Sequence, residues 1–117
     1  MSITRLHTNQ RMSQVVVNGD TVYLAGQVAT DASVATDVAS QTRQVLARTD
    51  ELLAEAGTDK SKILMATIWL SDISTFDEMN GVWDAWVPEG AAPARACVES
   101  KLAFPQFLVE IRVVAGR

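Results

Sequence analysis

Arg95 stands two residues before the only cysteine, Cys97, in Pro93-Ala94-Arg95-Ala96-Cys97-Val98-Glu99-Ser100, a stretch otherwise suited to a buried strand. A guanidinium there is permanently charged and offers a rigid fork of donors that matches a carboxylate. Glu110 interrupts the apolar run Phe107-Leu108-Val109-Glu110-Ile111-Arg112-Val113-Val114-Ala115 in the same way. A carboxylate in such a run can orient a water molecule or move a proton. Strand side chains alternate, so Arg95, Cys97 and Glu99 share one side, while Glu110 shares its side with Leu108, Arg112 and Val114. If the two runs pair as a hairpin, Arg95 and Glu110 lie near one another, in a register the sequence leaves open. Two readings stand on spacing alone: a structural Arg–Glu pair at a subunit interface, and a substrate site.

The other reactive residue types point elsewhere. Nothing places the single histidine, His7, beside Cys97 as an activating base, so the thiol reads as pocket wall or core rather than nucleophile. One His and one Cys are too few for a dedicated zinc site. Asp72, Asp77 and Glu78 read as solvated or capping carboxylates, and Arg112 as facing solvent or an interface. Trp83 and Trp86 recur with Met79 at helical spacing, which favours packing over a ligand-stacking box. The chain contains no glycine-rich phosphate loop, G-x-S-x-G or H-E-x-x-H.

The elements that must carry these residues are marked by period and punctuation. Residues 13–29 are two β-rich runs around Asn18-Gly19-Asp20, where Asn-Gly supplies the positive φ of a tight hairpin. Gly26 breaks the second run, as a bulge or a close backbone approach does. Residues 36–57 predict a helix with Val38, Thr42, Val45, Leu46, Thr49, Leu52, Leu53 and Ala56 on one stripe. Thr36 or Asp37 caps its start and Gly57 its end. Residues 62–73 read as a strand apolar on both faces. Residues 74–87 read as a second helix, opened by a Ser74–Asp77 capping box. With the two closing strands, the order β-β-α-β-α-β-β implies an α+β two-layer domain, helices on one face of a mixed sheet. The other face needs cover, which a second copy of the chain can supply.

Bulk properties narrow the class. A chain of 117 residues, 48% hydrophobic and 21% charged, suits one domain spanning 1–117. The formal charge of −4, without any Lys/Arg-rich tract, disfavours nucleic acid as a ligand. No apolar run reaches membrane-spanning length, no leader-like segment opens the chain, and a lone cysteine fits a reducing cytoplasm.

Pro93-Ala94-Arg95, Cys97 two residues on, and Leu108-Val109-Glu110-Ile111 after a short connector resemble the C-terminal signature of the RidA/YjgF family, the reactive-intermediate (enamine/imine) deaminases. The likeness runs along nearly the whole chain. "NGDTVYLAGQVATD" is similar to the family's early hairpin ending in Gly-Gln, and "DVASQTRQVLARTDELLAEAG" to its long helix. The resemblance implies a chorismate-mutase-like homotrimer with clefts between subunits. It implies hydrolysis of 2-enamine and 2-imine acids, of the 2-aminoacrylate kind, to 2-keto acids and ammonia, without metal or organic cofactor. The implied partners are the small 2-imino or 2-keto acid and two copies of the chain, with no nucleic acid and no membrane.

By the same resemblance Arg95 would hold the substrate carboxylate and Glu110 the hydrolytic water. Cys97 would line the pocket, Gly26 would let the backbone approach the ligand, and Ala25 and Met12 would complete the wall. Many members have tyrosine at the position of Met12 and serine or threonine at that of Ala25. The loss of both hydroxyls implies a substrate other than the simplest aminoacrylate, or a lower activity, with Ser13 or Gln14 as stand-ins. Two alternatives remain: chorismate-mutase chemistry on the same trimer, and a non-catalytic metabolite-binding or chaperone-like role.

Overall fold

The computed structural model describes residues 2–117. The elements follow as β1 (Ile3–Thr8), β2 (Ser13–Asn18), β3 (Thr21–Leu24), α1 (Val38–Glu55), β4 (Ile63–Leu70), α2 (Phe76–Trp86), β5 (Ala94–Glu99) and β6 (Val109–Gly116). All six strands form one sheet in the order β1-β2-β3-β6-β4-β5, in which only β4 and β5 are parallel. The α+β architecture is therefore the one expected, with an additional strand, β1, at the edge.

Local chemistry accounts for the element ends. In the β2–β3 hairpin Asn18 pairs with Thr21, so the two loop residues are Gly19 and Asp20, and Gly19 alone takes a positive φ, +61°. The turn thus sits one residue later than Asn-Gly implies. The Asp37 carboxylate caps α1, accepting the Ser40 N–H at 2.7 Å. The stripe Val38, Thr42, Val45, Leu46, Thr49, Leu52 and Leu53 is buried. Its two hydroxyls are satisfied within the helix, Thr42 Oγ1 donating to the Val38 carbonyl and Thr49 Oγ1 to that of Val45.

The Ser74–Asp77 capping box does not form. Ile73–Thr75 is a single 3₁₀ turn capped by Asp72, which accepts the Ser74 N–H at 2.9 Å, and α2 begins only at Phe76 without a side-chain cap. Glu78 instead reaches across to α1 and accepts the Ala39 N–H at 2.9 Å.

The pairing of the last two strands also differs from the hairpin considered above. β4–α2–β5 is a parallel crossover, and β4 pairs with β5 on one side and β6 on the other. Pairing of Arg95 with Ala66, and of Ala66 with Val113, puts Arg95 and Cys97 on the helix-covered face, over the core of Ile68, Leu70, Ile111 and Val113. Pairing of Val98 with Trp69, and of Trp69 with Glu110, puts Glu110 on the opposite, open face. That face carries Tyr23, Met65 and Val98, all large and exposed.

Candidate active site

Arg95 projects from the edge strand β5 against α2. Its Nη1 donates to Asn80 Oδ1 at 2.7 Å. Its guanidinium carbon lies 5.3 Å from the centroid of the buried Trp83 ring and 5.7 Å from that of Phe76. These are cation–π distances, and together with the amide they set the plane of the fork. Every one of these partners is neutral, and the ion pairs among the described residues, His7–Glu55 and Arg48–Glu51, do not involve Arg95. Glu99, on the same side of β5, is engaged in accepting the Ile73 N–H at 3.0 Å. Arg95 is thus held in place with its charge uncompensated.

Cys97 is half-buried and packs against the core beside Arg95. Burial pushes its thiol upward, and the Arg95 charge only partly offsets this. The thiol is therefore neutral near pH 7 and poorly suited to nucleophilic attack.

Glu110 lines a hollow of about 360 Å³ on the open face, with Ser13, Val16, Tyr23, Ala25, Gly26, Trp69 and Arg112 among its walls. Partial burial raises the Glu110 carboxyl above its ordinary value. A carboxyl raised in this way is a stronger base than an exposed glutamate, which suits it to take up and return a proton. Gly26 owes its identity to this carboxylate. A Cβ on Gly26 would stand 2.9 Å from Glu110 Cδ and 3.2 Å from Cγ, and closer still to Oε2. The close approach marked by the glycine is thus made by a side chain of the same protein.

Two buried glutamines brace this strand. The Gln27 backbone exchanges hydrogen bonds of 2.8 and 3.0 Å with Ile111, the residue after Glu110. Its amide spans Gln14 Oε1 and the Ala25 carbonyl at 2.8 and 3.0 Å. Gln41 in α1 accepts the Leu108 N–H at 2.8 Å and donates to the Ala35 and Gln106 carbonyls. The connector that delivers Glu110 is tied to the helix layer by that one side chain.

Of the sequence-derived candidates, Glu110, Gly26 and Ala25 come together in the hollow, while Arg95 and Cys97 come together on the other face of the sheet. Arg95 and Glu110 do not meet within one chain, because β4 separates their strands and the pleat turns them to opposite faces. Met12 is exposed in the β1–β2 connection, its N–H held by Asn9 Oδ1 at 2.9 Å, while its neighbour Ser13 reaches the hollow. Of the two stand-ins, Ser13 already shares a hydrogen bond of 2.8 Å with Thr8, and Gln14 is taken up by Gln27. Sequence reasoning missed Asn80 and Tyr23. Tyr23 lines the hollow, and alternation along β3 was the available signal, since Val22 and Leu24 on either side of it are buried.

A larger groove, about 510 Å³, runs between α1 and α2 past Arg43, Asp50, Lys60, Glu78 and Trp86. Most of its charges serve the helix pair: Asp50 accepts the Trp86 indole N–H, Lys60 stacks on that ring, and Glu78 caps α1. Among the described residues no group of three or more His, Cys, Asp or Glu side chains converges in metal-binding geometry, and no helix is long and apolar enough to cross a membrane.

Comparison with known proteins agrees with this fold. The family model described as "Endoribonuclease L-PSP" matches residues 2–116. A RutC family protein of Haemophilus ducreyi is 46% identical over 114 residues, 97% of this chain and 96% of the relative. The RutC family protein YoaB of Escherichia coli is 41% identical over 116 residues, 99% of each chain. The crystal structure of a YjgF family member from Neisseria meningitidis superposes with a TM-score of 0.96 at 44% identity, covering 100% of this chain and 96% of the other. The chain belongs to the RidA/YjgF family.

Proposed function

We propose that the protein hydrolyses 2-imino acids, formed directly or by tautomerisation of 2-enamines, to 2-keto acids and ammonia, in clefts between three copies of the chain. The observation that carries this reading is Arg95: a guanidinium oriented by Asn80, Trp83 and Phe76 and left without any acidic partner. An uncompensated, half-buried cation at the edge of a sheet is a receptor for an anion, and its planar fork fits a carboxylate.

Glu110 is the matching proton carrier. It faces the opposite way, so one chain has a clamp without a base on that face, and a base without a clamp on the other. Docking the β5 edge of one copy on the open face of the next completes the site. It also covers Met65, Trp69 and Val98, whose apolar area favours association.

The chemistry then follows from two charges. Arg95 binds the carboxylate of the imine and holds the C=N carbon over the neighbouring copy's Glu110. Glu110 takes a proton from a water whose oxygen bonds to that carbon and passes it to the imine nitrogen, giving a carbinolamine. It then carries the carbinolamine's hydroxyl proton to the same nitrogen, so that ammonia leaves as the C–N bond breaks and the carbonyl forms. Water is consumed, one ammonia is released and no electrons are transferred. The imine is already electrophilic, so orientation and proton handling suffice. Tyr23 gives the hollow the hydroxyl that Met12 and Ala25 lack.

The family model's description names an endoribonuclease, but a chain of net charge −4 and pI ≈ 4.8 repels a polyanion. The deciding experiment generates 2-imino acids from a panel of amino acids with an amino-acid oxidase and follows imine decay. Wild-type protein accelerates decay for at least one imine. Arg95→Ala loses roughly tenfold to a hundredfold in kcat/KM, the worth of a charge-assisted hydrogen bond pair. Decay at the protein-free rate across the panel, or equal rates for Arg95→Ala and wild type, would refute the assignment.

A further inference from the structure

We infer that Asn80 is a positioning residue for Arg95, and that its neutrality matters as much as its hydrogen bond; the inference rests on reading Arg95 as the carboxylate clamp. Phe76, Asn80 and Trp83 sit at spacings of four and three on α2 and so share one helical face. All three meet the same guanidinium, two with ring faces and one with an amide oxygen. The rings restrict its plane and the amide restricts its rotation within that plane. Only one donor nitrogen, Nη1, is engaged by a side chain, so the rest of the fork stays free.

The helix places a side chain of four heavy atoms at this point, and two isosteric residues fit the space equally well. Aspartate would brace Arg95 more firmly, because a hydrogen bond to a carboxylate is stronger than one to an amide. It would also cancel the positive charge. Asparagine braces without cancelling. A structural role for position 80 therefore accepts either residue, whereas an anion clamp requires the neutral one. The acid nearest along β5, Glu99, is directed instead to the Ile73 N–H, which keeps the cradle neutral on that side as well.

The test is calorimetric binding of 2-oxobutyrate, a small 2-keto acid, to wild-type protein, Asn80→Asp and Asn80→Ala, with a thermal melt of each. The expected order of affinity is wild type, then Asn80→Ala weaker by a few-fold, then Asn80→Asp weaker by about tenfold or more. In turnover of a 2-imino acid the same losses fall on KM while kcat at saturation stays within about two-fold. A brace alone reverses the order of the variants, with Asn80→Asp equal to wild type and better than Asn80→Ala, and that result overturns the inference. If Asn80→Asp does not fold, Asn80→Ala still decides it, because unchanged affinity there removes any positioning role. Should the binding order hold while no imine is hydrolysed, the deaminase reading falls and the role of Asn80 stands. Should wild-type protein bind no keto acid at all, both fall.

Discussion

Glu110 is partly shielded from water by the hollow, and that desolvation raises its carboxyl above the ordinary glutamate value. A base works only when deprotonated, so a raised value moves the acid limb of the pH–rate profile upward. As pH falls, kcat declines at a higher pH than an exposed glutamate would give. Glu110→Gln is expected to lower kcat by about 10²–10⁴-fold and to flatten that limb, with 2-keto acid affinity little changed. A profile whose acid limb survives the substitution assigns the proton transfer to another group. At this scale the sequence was largely legible. Arg95 and Glu110 stand out because a charge in an apolar strand needs a reason. Asn80 did not stand out, because a polar residue on a short helix ordinarily faces solvent. Its partner lies on a strand 15 positions away, a pairing that no local pattern encodes.

At the scale of elements, the break at Gly26 and the bracing by Gln27 and Gln41 decide where the Glu110 carboxylate sits. Gly26→Ala sets a methyl group against that carboxylate. A glutamate side chain can swing aside, so the stability cost is small, about 1 kcal/mol or less by thermal melt. The carboxylate is displaced all the same, and a shift on the order of 1 Å can cost up to about a hundredfold in kcat. Intact activity in Gly26→Ala would show that Glu110 tolerates displacement and that the glycine serves only packing. The long helix and the β2–β3 hairpin were readable because their signals are local: a 3.6-residue stripe, a cap at Asp37 and a Gly in the turn. β1 was not readable, since Thr4, Arg5, His7 and Thr8 give it no apolar alternation and an edge strand buries little. The hairpin considered for the last two strands gave way to a β4–α2–β5 crossover. That unit had a signal, a helix between two strand-like runs, which by itself favours parallel pairing.

The whole molecule brings these levels together. On the proposed reading a single chain carries its anion clamp, Arg95, on the helix-covered face and its proton carrier, Glu110, on the apolar open face that a neighbour can cover. The account therefore requires assembly for activity, and it requires that each cleft take Arg95 from one copy and Glu110 from another. Subunit complementation tests this most directly. Arg95→Ala and Glu110→Gln, each strongly impaired alone, are co-expressed with distinct tags, purified as mixed assemblies and assayed on a 2-imino acid. In every mixed trimer one of the three clefts has both native side chains, so about a third of wild-type activity should return. If the mixed assemblies form and remain as impaired as their parents, Arg95 and Glu110 do not meet across a subunit boundary, and the proposed site is wrong.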